Sequence, residues 1–426
     1  MKSLQIPTLV VGVLISMLGG QSAQALDFSF GFSPDLSSDM RDGLNLASER
    51  WESILTDDVT VAVDVSVDPD LTMLASFRSS RVNVSYQNFV AALGNDSSRS
   101  PDDETALEFL PESNDFDLLA NAEFDLLING TRNHPSGTAG DLTPYVDADG
   151  DCNNRLIRIS AANAKAIGLP RNGTNSCAGS PQSVTSDGRL AFNPNIMWDF
   201  DPSDGIAAGH YDFVGAATQG LGVVLGFGSG VDVLDFNTSL PDPADPDGNN
   251  VVAFDDNILA FVNPTDLFRF SEDSLTLAAG NGSQSLIDWT TGRTDSQGQE
   301  VDKYFSIDGG QTKIASFSTG RKFGDGYQAS NWKADNLTGT YLGIFEPSPE
   351  PGQVLFITEN DRRILDVIGW DLDPGFWSSN SGSGGNPPPS GGNPPPVAVP
   401  EPSNALGMLA LFAIACGYWA VGKSRQ

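Results

Sequence analysis

One stretch constrains the fold more than any other. Phe213 to Phe227 (FVGAATQGLGVVLGF) runs for helix length without a single charge. A helix that is apolar on all sides belongs inside a core, not on a solvated surface. Its glycines, Gly215, Gly220, Gly222 and Gly226, permit close packing by neighbouring elements. Phe213–Phe227 is therefore predicted to be a buried, glycine-rich helix.

Shorter signals surround it. Leu44, Ala47, Trp51, Ile54 and Leu55 recur at helical spacing and predict an amphipathic helix over Leu44–Leu55. Val59, Val61, Val63, Val65 and Val67 alternate as a half-buried strand does. A second helical region is expected near Val84–Leu93. Strands are expected at Phe124–Ile128, Leu156–Ile159 and Arg189–Asn193, and helices at Ala161–Ile167 and Asp361–Val367. Helices and strands interleave without a regular βαβ beat, which predicts an α+β domain.

Both ends carry segments of another kind. Lys2, the apolar run Ile6–Leu18 and the small-x-small triplet Ala23-Gln24-Ala25 follow the order of a secretory signal. Residues 1–25 are expected to be removed, so that the mature chain starts near Leu26. The folded domain is expected over 26–372. From Asp373 to Val399 the composition collapses to Gly, Ser, Asn and Pro, which predicts a disordered, semi-extended linker. Residues 404–422 are almost wholly apolar, close to the roughly 20 residues that span a bilayer. Lys423 and Arg425 follow, and basic residues favour the cytoplasmic side.

The chain has 55 acidic and 23 basic residues, a formal net charge of -32. Nucleic-acid binding needs lysine and arginine to neutralise phosphates, so this balance argues against it. Docking on anionic lipid is disfavoured for the same reason. Of the three cysteines, Cys416 lies in the apolar tail, which leaves Cys152 and Cys177 in the exported part. Two thiols in an oxidising compartment usually pair, and a structural disulfide is expected.

Pro400-Glu401-Pro402-Ser403, the apolar span and the basic end together resemble the PEP-CTERM sorting signal. That resemblance implies export, a cell-surface or extracellular destination, transient or lasting anchorage by the tail, and an exosortase-type processing enzyme as partner. The stretches Trp198–Ile206 (WDFDPSDGI), Leu225–Asp232 (LGFGSGVD), Leu342–Ile344 and Asp366–Trp370 resemble a group of exported, PEP-CTERM-tailed, zincin-like metalloproteases. In that family the helix matching Ala216–Phe227 carries H-E-x-x-H. Two imidazoles one turn apart grip zinc, and the glutamate is the general base on the bound water. In this chain Gln219, Gly220 and Val223 stand at those positions. Valine cannot ligate, glycine has no carboxylate, and a neutral amide oxygen suits Zn(II) poorly. The family spacing puts a third ligand at Ser229, or at Asp232. A further family histidine falls on Asn331 in QASNWK.

The composition points the same way. The chain has two histidines, His134 and His210, far apart and without an i+4 partner, whereas a catalytic zinc site uses three protein ligands, usually with His among them. His134 reads as a solvated loop residue and His210 as a turn or helix-entry residue. No cofactor is expected and zinc least of all. Calcium stays open. Asp147, Asp149 and Asp151 alternate as calcium-loop carboxylates do, but Gly150 and Arg158 break the EF-hand pattern. Asp245, Asp247 and Asn249 look similar. For both, an acidic surface turn and a non-EF calcium turn are the two readings. Asp199, Asp201 and Asp204 are expected to cap or brace the entry to the central helix. With two histidines a Ser-His-Asp triad is not supported, and nothing singles out a carboxylate pair.

The resemblance implies a non-catalytic, exported homologue of zinc metalloproteases with a binding or structural role at the envelope or matrix. Two alternatives stand beside it: an active hydrolase of that family using unusual residues, and a calcium-stabilised module that binds matrix or polysaccharide. A polysaccharide or protein partner outside the cell is implied, and no nucleic acid.

Overall fold

The structure, a computed structural model, describes residues 26–96, 99–110, 123–171, 184–238, 255–258, 260–281, 286–292, 294 and 298–376. The predicted signal and sorting segment, most of the linker, Cys177, and the turn with Asp245, Asp247 and Asn249 lie outside the described residues.

The chain begins with β1 (Asp27–Phe32), α1 (Ser38–Glu52), β2 (Thr60–Val67), β3 (Ala75–Ser79), β4 (Arg81–Ser85), α2 (Tyr86–Asn95) and α3 (Pro101–Phe109). It continues through β5 (Leu126–Ile128), β6 (Tyr145–Asp147), β7 (Leu156–Ser160), α4 (Ala161–Ala166), β8 (Gly188–Phe192), β9 (Trp198–Asp199), β10 (Tyr211–Asp212), α5 (Phe213–Leu225) and α6 (Val231–Asn237). The last third holds β11 (Arg269–Phe270), α7 (Glu272–Asn281), β12 (Ile287–Asp288), β13 (Lys303–Phe305), β14 (Ala315–Phe317), α8 (Asp335–Thr338) and α9 (Glu359–Asp366). The architecture is α+β. Among the described residues no helix is long and apolar enough to cross a membrane.

The main sheet has the order β1-β2-β8-β3. β1, β2 and β8 run parallel, and β3 closes the edge antiparallel to β8, with Phe77 opposite Leu190. Alternation in β2 buries Val61, Val63 and Val65 on one face. Helix α1 starts at Ser38 because the Ser37 side chain accepts the Met40 N–H (3.2 Å), which satisfies a donor the first turn leaves open. Its buried face of Met40, Leu44, Ala47 and Trp51 packs on α5, and Trp51 Nε1 donates to the Thr218 carbonyl (2.8 Å). The helix expected over Val84–Leu93 begins later. Val84 belongs to β4, and Ser85 caps α2 by accepting the Asn88 N–H.

Two charge arrangements, one fully and one partly buried, tie neighbouring elements together. Lys303 Nζ meets Asp288 Oδ2 at 2.6 Å with both side chains fully buried, joining the β11-β13-β14 and β12-β5-β6 sheets. Removing one partner of such a pair costs about 3–5 kcal/mol, because a lone buried charge remains. Where α3 meets α9, Arg363 pairs with Asp102 (2.5 Å), and Ser100 Oγ donates to Asp366 Oδ2 (2.6 Å). Burial first, and then repulsion from Asp103, push Asp366 well above the usual carboxylate range.

A carboxyl raised on folding holds more protons folded than unfolded at intermediate pH, so its contribution to stability falls as pH rises from the acid range through neutrality. Asp366→Asn removes that penalty while keeping an oxygen to accept from Ser100. The variant is expected to exceed the parent in stability at about pH 8 by on the order of 1–2 kcal/mol, with little or no gain at about pH 4. Urea midpoints across pH check this; an equal loss at both pH values would show that the carboxyl carries no such penalty.

Candidate functional site

The site is built on α5. Its N-terminus is capped by Asp212, whose Oδ1 accepts the Gly215 N–H (2.7 Å) and whose Oδ2 accepts Leu355 N–H (3.0 Å). This corrects the capping half of the expectation for Asp199, Asp201 and Asp204, while Asp199 pairs in strand register with Asp212 at the helix entry. Asp199 and Asp201 accept N–H groups within their own 199–207 loop, and Asp204 sits in a short 3-10 turn there; the cap is Asp212, directly before the helix. The helix ends at Gly226, whose φ of 136° is open to glycine and strained for other residues. Phe227 then stacks on Phe345 with ring centroids 3.6 Å apart.

Every residue of α5 is buried except Gln219 and Val223. These lie one turn apart on the same face, so the helix opens toward partial exposure at just the two positions where the resembled family places imidazoles. The Gln219 amide is already engaged: Nε2 donates to the Glu346 carbonyl (2.8 Å). Val223 offers only methyl groups. Gly220 faces the edge strand. A Cβ there would lie 2.7 Å from Phe77 Cδ1 and 2.9 Å from Leu190 Cδ2, so Phe77 fills the space a larger side chain would need.

The downstream positions are drawn into other networks. Ser229 Oγ donates to Asp266 Oδ1 (2.5 Å), and Ser229 N–H donates to Ser330 Oγ (2.9 Å). Asp266, fully buried, also accepts from Gly230 N, Asn263 N and Trp289 Nε1. Asp232 accepts Ala329 N (2.7 Å), Ser330 N (3.2 Å) and the Ser330 hydroxyl, while burial raises it to about 6. Asn331 donates within its own turn to Gln328 O (3.3 Å). Glu346, beside Gln219, is raised to about 7, first by burial and then by repulsion from Asp335.

The histidines stay apart from this face. His134 is buried, not solvated as its loop context implied: its ring contacts Ser136 Oγ (2.8 Å) and Thr143 O (2.7 Å), edge-on to Tyr145. His210 sits in a turn, its N–H bonded to Ala207 O. Cys152 is disulfide-bonded; Cys177, its expected partner, lies outside the described residues. Among the described residues no group of three or more His, Cys, Asp or Glu side chains could hold a metal ion.

The acidic turn forms a second cluster. Asp147 is buried and raised to about 7, first by burial; Asp151 is raised to about 6, also first by burial, with repulsion from Asp149 and Asp256 adding to both. Asp149 is exposed at the loop tip and accepts the Asp151 N–H (3.2 Å). Asp255 and Asp256, distant in sequence, complete it.

The comparisons add no relative: no protein-family model, curated protein or solved structure matches the chain. Three contributors escaped the sequence reading. Asp212 was legible as an Asp at the helix entry. Phe77 and Glu346 were not, because only the fold brings β3 and the 345–346 turn to α5.

Gly220→Ala tests the packing of this face. Alanine gains about 1 kcal/mol in helix propensity, but overpacking against Phe77 costs about 1–3 kcal/mol, so a net loss is expected. Phe77→Leu in the same chain is expected to recover part of that loss in a double-mutant cycle of urea midpoints. A stabilised Gly220→Ala would show that Phe77 yields freely.

Proposed function

We propose that the chain is a non-catalytic relative of exported zincin-like metalloproteases, acting as a binding or structural protein at the cell envelope or in the extracellular matrix. The observation that carries this reading is the pair of half-open positions on α5. Where that family grips zinc, this chain has an amide bonded to a backbone carbonyl and a valine; where the family keeps its base, it has a glycine against Phe77. A buried central helix beside a sheet whose edge strand runs antiparallel is compatible with that ancestry.

Export and sorting belong to the same proposal. The signal-like N-terminus and the Pro400-Glu401-Pro402 tail support delivery to the surface, processing by an exosortase-type enzyme, and an acidic domain held off the membrane by a Gly/Pro linker. A polysaccharide or protein outside the cell is the partner such a domain would meet.

The full chain, purified without chelator, is expected to leave casein and gelatin uncut and to contain less than about 0.1 zinc per chain by elemental analysis after zinc exposure. Proteolysis abolished by a chelator and restored by metal would overturn the proposal.

A further inference from the structure

Lys303 on β13 and Asp288 on β12 meet between two sheets, Nζ to Oδ2 at 2.6 Å, and neither side chain is exposed at all. Their surroundings are equally closed: Ser271, Thr290 and Thr291 are fully buried, and Arg269 nearly so. Keeping an ammonium in such a place is costly. It carries three N–H donors, and among the described residues Asp288 is the one hydrogen-bond partner of Nζ. Burial lowers the Lys303 ammonium from its ordinary value against the pull of Asp288, and the charge of Arg269 lowers it further.

The Asp288 carboxyl is engaged from its other side. Thr290 donates both its N–H (3.0 Å) and its hydroxyl (2.6 Å) to Oδ1. Ser271 donates its hydroxyl to Oδ2, while its Oγ accepts the Ser274 N–H (3.2 Å). Oδ1 thus lies between two fixed donors, the arrangement that stabilises a developing oxyanion. Oδ2 lies between a hydroxyl and the lysine.

We propose that Lys303 and Asp288 condense into an intramolecular isopeptide bond that joins β12 to β13. The pair is ionic at rest: burial raises the Asp288 carboxyl, but the Lys303 charge and the donors outweigh it and hold the carboxyl low. A proton passing from Nζ to Oδ2 along their hydrogen bond gives a neutral amine and a carboxylic acid. The amine lone pair forms the Nζ–Cγ bond, and Oδ1 takes the negative charge between the two Thr290 donors. A second proton moves from Nζ to Oδ2, the Cγ–Oδ2 bond breaks and Oδ2 leaves as water. The Cγ=Oδ1 double bond re-forms, and Nζ keeps one hydrogen as an amide. No oxidant or further reactant is consumed. Groups held in contact react as if highly concentrated. A site closed to solvent withholds the water that hydrolysis needs, and the amide removes two buried charges. The inference does not rest on the non-catalytic reading of α5.

Peptide mapping of the full chain tests it. Trypsin does not cut after an acylated lysine. Digestion of the denatured chain is expected to yield a branched peptide joining Phe270–Arg293 to Thr294–Lys313. Its mass should fall below the sum of the two by one water, with fragment ions placing the branch on Asp288 and Lys303. Cleavage after Lys303, giving only the linear peptides Thr294–Lys303 and Tyr304–Lys313, would overturn the proposal. So would a branch mapped to another pair of residues. The double variant Lys303→Met with Asp288→Asn leaves no lone buried charge and is expected to give no branched peptide. A branch between the same two segments in that variant would show that the bond lies elsewhere, and the proposal would fall. The parent's own map decides the matter even where the variant does not fold.

Discussion

The structure depends on burying one uncharged helix on nearly every side. Helix α5 can be covered only if its neighbours come unusually close, and its glycines make that approach. Trp51 and Phe345 lie where a Cβ of Gly222 would be, Phe77 and Leu190 where that of Gly220 would be. The gain is large in aggregate, since each fully buried aliphatic or aromatic side chain contributes about 1.5–3 kcal/mol. It also makes the packing intolerant of added atoms, because interiors this dense have no room to relax.

Burying the helix forces its surroundings to solve a polar problem. The segments that wrap it carry carboxylates, and each must find donors. Asp212 does so with two backbone N–H groups, and Asp266 and Asp361 add hydroxyl or indole donors to theirs: Asp361 accepts from Trp332 Nε1 (2.7 Å) and Ile344 N (2.8 Å). These buried acids act as struts between loops and core. They are fixed in place by geometry, and the charge they bury is offset by donors rather than by a reactive partner.

The face of α5 at Gln219 and Val223 is where the packing stops. In an otherwise buried helix, these two half-open residues one turn apart are where α5 comes nearest to solvent. The residue types there supply a neutral amide and a hydrocarbon, and Phe77 takes up the space beside Gly220. The functional proposal follows from the residue types at this opening, whose side chains can neither grip a cation nor take up a proton.

Much of the scaffold was legible from pattern alone. The uncharged run at Phe213–Phe227, the valine alternation of β2 and the helical spacing of α4 and α9 are local signals, and the elements appear there within a few residues; α1 starts six residues before the expected Leu44 and leaves Ile54 and Leu55 beyond its end. β1, β3, α3 and α6 left weaker local marks; the edge strand β3 is recognisable only by its pairing with β8. His134 shows the limit of local context, since its loop is polar but folds inward against Tyr145. The sequence by itself determined that a neutral helix must be buried, that Gln, Gly and Val occupy its key positions, and that acid crowds the surface, because these follow from residue type and period. Only the tertiary structure decided that Phe77 closes over Gly220, that Glu346 receives Gln219, and that Asp256 joins the turn at Asp151, because contacts between residues far apart in the chain are set by packing, which no local pattern records.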